Sequence, residues 1–180
     1  MAHPTGLNGS PDQAWSTACC SSASPTSARS SSRSPRGIAL VVWGNRAKGQ
    51  RHITVGTDSE LGGRLGAEHL IACGARRLAF VGDTAGVEIA TRLKGARAAA
   101  QAAGLTIDHI PADLADERMR SQIGAALIAS GADYDGIVAA SDVIAMATLH
   151  VLHEAGRKVP GDIQLVGFDD LPMAGLTSPR

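Results

Sequence analysis

The stretch Gly136-Ile-Val-Ala-Ala-Ser-Asp-Val-Ile-Ala145 decides the fold. Residues 136–140 form a short apolar run and read as a strand. Ser141 stands where a hydroxyl can cap a helix. Asp142 opens that helix, which continues to residue 155 and is stopped by Gly156. A strand that turns directly into a helix is half of a βαβ unit. Working outward, the same alternation recurs. Strands are predicted over residues 78–81, 105–110 and 163–166, and helices over 86–103 (stopped by Gly104) and 116–130 (stopped by Gly131). Upstream, residues 38–43 are a continuous apolar run, as in a strand covered on both faces, and residues 52–56 form a second short strand. A helix follows. Thr57 and Glu60 have capping-box spacing, with Asp58 as the other candidate cap. Leu61, Leu65, His69 or Leu70, and Cys73 recur along it at helical spacing, and Gly74 ends it. Alternation of this kind implies an α/β fold, a parallel sheet with helices on both faces.

The 180 residues leave room for one ordinary domain with a tail. Apolar residues make up 44% but aromatics only 3%, so the core must be built from Val, Ile, Leu and Ala. Seventeen Lys and Arg balance 17 Asp and Glu, which argues against a surface dominated by phosphate contacts. No run of about 18 apolar residues is present, so no membrane partner is expected. Cys19, Cys20 and Cys73 match neither a disulfide framework nor a zinc spacing. Cys73 is expected to be a small buried hydrophobe. This usage fits a reducing, cytoplasmic setting. Residues 1–37 are rich in Ser, Pro and Ala, with Asp12 the sole acidic residue before Gly37, and are expected to be disordered.

Polar residues gather where the strands end, the rim at which open parallel sheets take ligands. Asp83, Asp113, Ser141-Asp142 and Asp169-Asp170 each follow a strand. Asp83 and Asp113 read more simply as turn formers. Ser141 can cap its helix, which frees Asp142 to face a cleft. Arg92 lies near the start of its helix, where a cation gains nothing from the dipole, so a ligand contact is the better explanation. Trp43 and Phe168 are candidate aromatic faces for a sugar, with core packing as the simpler reading of both. His150 and His153 lie three apart, not the four of a helical metal pair; no metal and no cofactor is expected.

Four segments together resemble the effector-sensing half of LacI/GalR-type transcriptional regulators. They are Val55-Gly-Thr-Asp-Ser59 with Gly63-Arg-Leu-Gly-Ala-Glu-His-Leu-Ile71, then Gly74-Ala-Arg-Arg-Leu-Ala-Phe-Val-Gly82, then Arg92-Leu-Lys-Gly95. The last is Ala140-Ser-Asp-Val-Ile-Ala145, continuing to Val166-Gly-Phe-Asp-Asp-Leu-Pro172. The resemblance implies a periplasmic-binding-protein-like fold, with one subdomain complete (76–172) and the other a remnant (38–75). Residues 173–180 would be a truncated crossover, and the stretch before Gly37 would be foreign to the family. It implies effector contacts at Arg92 and Asp142, with Asp169 beside the crossover. The partner would be a small-molecule effector, a sugar or nucleoside. DNA would be contacted only through a helix-turn-helix that this sequence lacks, and the family's usual state is a homodimer. No catalysis is implied. Two departures bear on the ligand: Gly44 stands where many relatives are acidic, and Ser59 where they often carry Asn. The alternatives are a periplasmic-type sugar-binding protein and, from another class, a magnesium-dependent α/β hydrolase.

Overall fold

The computed structural model describes residues 41–45, 53–129 and 131–179. The disorder expected over residues 1–37 and the first half of the 38–43 strand lie outside these residues. What is described begins with β1 (Val41–Trp43) and β2 (Ile53–Val55), which pair in parallel as a small sheet. The main sheet holds β3 (Leu78–Val81), β4 (Ile107–Ile110), β5 (Gly136–Ala139) and β6 (Gln164–Val166), all parallel, in the order β4-β3-β5-β6. The helices are α1 (Ser59–Ala72), α2 (Val87–Ala102), α3 (Met119–Gly124) and α4 (Asp142–Glu154).

This order fixes the layers. The chain steps outward from β3 to β4 through α2, then returns past β3 to β5 through α3, and on to β6 through α4. Right-handed crossovers put α2 on one face and α3 with α4 on the other. α1 packs on α2 and touches β5 and β6, so it shares the face of α2. The two central strands, β3 and β5, are buried at every residue. That is why they read as unbroken apolar runs. Phe80, Leu78, Ile137, Ile144 and Leu152 anchor the core.

α1 departs from its sequence pattern. Leu61 and Leu65 are exposed, and the buried residues are Ser59, Gly63, Ala67 and Leu70. The reason is a backbone-close helix crossing. A Cβ at Gly63 would lie 1.9 Å from the Arg92 carbonyl oxygen, and one at Gly95 would lie 1.9 Å from that of Glu60. Small residues let the two backbones meet, so the large apolar residues end up outside the contact. Cys73, expected to be buried, is exposed at the C-cap of α1. Asp58, not Thr57, is the N-cap, accepting from the Leu61 N–H at 2.9 Å. The predicted 116–130 helix starts later, at Met119, and widens into a π-helical turn over Ala125–Ala129. Asp116 is held in the preceding turn, accepting from the Arg118 N–H and the Gln122 amide. The division after residue 75 grouped α1 with the remnant, whereas its contacts lie with α2 and the main sheet.

Candidate functional site

Neighbouring strands β3 and β5 send their following helices to opposite faces, so a crevice opens between their carboxyl ends. Gly82 and Ala140 face each other there; a Cβ at Gly82 would lie 2.4 Å from that of Ala140. Into this switch point α2 delivers Arg92. Its side chain is buried, with 8% of the residue exposed. The guanidinium donates from Nη1 to the Ala140 carbonyl and lies 3.6 Å over the centroid of the Phe168 ring. Its Nη2 is 3.8 Å from Asp169 Oδ1. Its Nε is buried without a hydrogen-bond partner among the described residues. A buried donor without a partner is costly, so this group points to something that completes the site. Burial pulls the Arg92 pKa down, opposed by the charges of Asp169 and Glu88; a guanidinium stays protonated regardless.

The loop after β6 supplies the floor. Phe168 is half-buried beneath Arg92, and Gly62 of α1 makes room for it, since a Cβ there would lie 2.3 Å from the ring. Asp169 and Asp170 have positive φ, 106° and 55°, a conformation that short polar side chains tolerate better than most. Burial raises the Asp169 pKa; Arg92 opposes this, and the charges of Asp142 and Glu88 add to it. Asp142, 7% exposed, ties this loop to α4. Its Oδ2 accepts from the Leu171 N–H at 2.7 Å, and its own N–H donates to the Phe168 carbonyl at 2.7 Å. Ser141 does cap α4, accepting from the Ile144 N–H. Yet Asp142 is not simply freed by this, since one of its oxygens is committed to Leu171.

Arg92, Phe168, Asp169 and Asp142 therefore come together. Trp43, at the end of β1, is 74% exposed, which overturns the core-packing reading. Asp83 and Asp113 are turn formers, accepting from the N–H groups of Ala85 and Ala115 two residues on. Two groups at the site were not singled out from sequence. Glu88 Oε1 accepts from the Asn45 N–H at 3.2 Å, and Asn45 Oδ1 accepts from the Ser59 hydroxyl at 3.2 Å. The available signal was spacing: Glu88 precedes Arg92 by one helical turn, the i,i+4 arrangement of an ion pair. A cavity of about 640 Å³ lies elsewhere, between α4 and residues 177–179, lined by Leu149, His150, His153 and Lys158. Arg157 also lines it, but no carboxylate and no Phe, Tyr or Trp ring does, unlike the crevice, and His150 is paired with Glu154 at 3.2 Å.

Residues 67–180 match the family of periplasmic binding protein-like domains. The HTH-type transcriptional regulator CelR of Thermobifida fusca is 36% identical over 147 residues, 77% of this chain and 42% of that protein. A LacI-family transcriptional regulator from Sanguibacter keddieii, 34% identical, superposes with a TM-score of 0.69 over 78% of this chain and 54% of its own. A complex of the transcriptional regulator CelR with cellobiose, 32% identical, has a TM-score of 0.66 over 79% of this chain and 45% of its own. The chain thus spans about half the length of these relatives, or less. The strand order and these matches agree: the chain belongs to the periplasmic binding protein-like domain family, in the form found in LacI/GalR-type transcriptional regulators.

Proposed function

We propose that this chain senses a sugar effector at the β3–β5 crevice, as the ligand-binding part of a transcriptional regulator. The observation that carries this reading is the buried Arg92, stacked on Phe168, with Nε unpartnered at the topological switch point. A guanidinium offers a fixed fork of donors, and Asp169 and Asp142 offer acceptors for hydroxyls, a combination suited to a polyhydroxylated ligand. The cellobiose complex of the related CelR supports a sugar as the ligand class. Binding rather than catalysis is the role that the relatives support, since CelR is named a transcriptional regulator. Trp43 is a further candidate contact from the β1 side. Operator binding, homodimer formation and a cytoplasmic setting come with the regulator reading; no helix among the described residues is long and apolar enough to cross a membrane. The regulator reading is preferred to a periplasmic-type binding protein because the related CelR is named a transcriptional regulator.

The test is titration calorimetry of the chain against cellobiose and a panel of mono- and disaccharides. One of them should bind. Arg92→Gln should weaken that binding by about 1.5–3 kcal/mol, the range for a hydrogen bond to a charged group. Unchanged affinity in Arg92→Gln would move the site elsewhere.

A further inference from the structure

We propose that the crevice selects uncharged sugars over their acids and phosphate esters, and that Glu88 sets this selection. The proposal rests on the sugar-sensing reading above and adds the ligand's charge class to it. Glu88 leaves the first turn of α2 and reaches the end of β1. Its Oε1 sits 2.7 Å from where a Cβ at Gly44 would stand, and it accepts from the Asn45 N–H. Gly44 has a φ of 138°, which side-chain-bearing residues rarely adopt. The space a side chain would take at position 44 is therefore filled by a carboxylate from α2. Asn45 is itself fixed by the Ser59 hydroxyl, so the Glu88 carboxylate is held in place.

The charge balance follows. Glu88 interacts electrostatically with both Arg92 and Asp169, and Asp142 interacts with Asp169. Among these groups one cation faces three carboxylates. The cation is already engaged by Asp169, the Ala140 carbonyl and the Phe168 face, leaving the buried Nε as its unpartnered donor. A carboxylate or phosphate on the ligand would meet this excess negative charge, with no second cation paired to these carboxylates among the described residues. A neutral sugar meets no such penalty: its hydroxyls can donate to Glu88 and Asp169 and accept from Arg92.

The experiment is calorimetry on the whole chain with matched ligands: cellobiose against cellobionate, and glucose against gluconate and glucose 6-phosphate. The proteins are wild type, Glu88→Gln and, as a control, Glu60→Gln, which removes the exposed partner of Lys94. Wild type should favour the neutral member of a pair by at least about tenfold, and Glu88→Gln should close that gap by about tenfold, the size expected for one like charge at close range. Glu60→Gln should leave the gap as it is. In wild type the gap should shrink as salt rises, a readout that stands even if Glu88→Gln folds poorly. Equal or tighter binding of the anionic member overturns the selection while leaving sugar sensing intact. A gap unchanged by Glu88→Gln in a folded protein, or unmoved by salt, removes Glu88 from the role. Failure of every sugar, neutral and charged, defeats the sensing reading and this proposal with it.

Discussion

The Arg92 guanidinium lies 3.6 Å over the centroid of the Phe168 ring, joining α2 to the loop that follows β6. The ring offers its negative face to a cation that burial has stripped of water, the setting in which cation–π attraction is strongest. One contact thus fixes the donor at the crevice and anchors the strained Asp169-Asp170 turn beside it.

Phe168→Leu should lower folding stability by about 1–3 kcal/mol, combining a lost cation–π contact with lost ring packing. A denaturant titration reads this as a lower midpoint at constant slope. An unshifted midpoint would mean that the stacking carries no weight.

Two glycines on one helix should behave oppositely. Gly63→Ala drives a methyl into the Arg92 backbone and should cost about 1–3 kcal/mol or more. Gly66→Ala meets only Val166 and Val138 methyls, at 3.4 Å and 3.7 Å, and should be neutral or stabilise by up to about 1 kcal/mol through helix propensity. Thermal melts of both variants decide it. Equal effects would contradict the backbone-close crossing of α1 and α2.

Asp169 should leave a signature in the pH dependence of stability. Burial raises its folded pKa above the ordinary 3.8, Arg92 notwithstanding, so the folded state takes up a proton before the unfolded state does. The contribution of this group to stability therefore rises as pH falls through the raised value, and levels off below the ordinary one. Asp169→Asn cannot titrate. The stability difference between wild type and Asp169→Asn should shift toward wild type as pH is lowered from 7. Urea titrations across that range test it, and a shift toward the variant would reverse the assignment.

A chain starting at Asp58 should melt cooperatively and elute as a single species. One starting at Gly74 should associate, because it loses α1 and bares the sheet face around Val138 and Val166 that α1 covers. Size-exclusion chromatography of both settles where the compact unit begins. Better behaviour of the Gly74 chain would return α1 to the remnant.

The sequence by itself determined the class of fold. Buried central strands such as residues 78–81 and 136–139 must be apolar throughout, and helices α1, α2 and α4 carry their stops at Gly74, Gly104 and Gly156, all with positive φ. These signals are local, so a single chain displays them. It also put Asp142, Phe168 and Asp169 at strand ends, and singled out Arg92 from its place early in a helix. What only the tertiary structure decided depends on contacts between distant segments. The face that α1 buries is chosen by Gly63 and Gly95 meeting across two helices, which no hydrophobic period announces. The tie from Asp142 to Leu171 and the reach of Glu88 to Asn45 join residues 29 and 43 positions apart. Hydrogen bonds across such separations are set by how the sheets and helices pack together, which no local pattern in the chain announces.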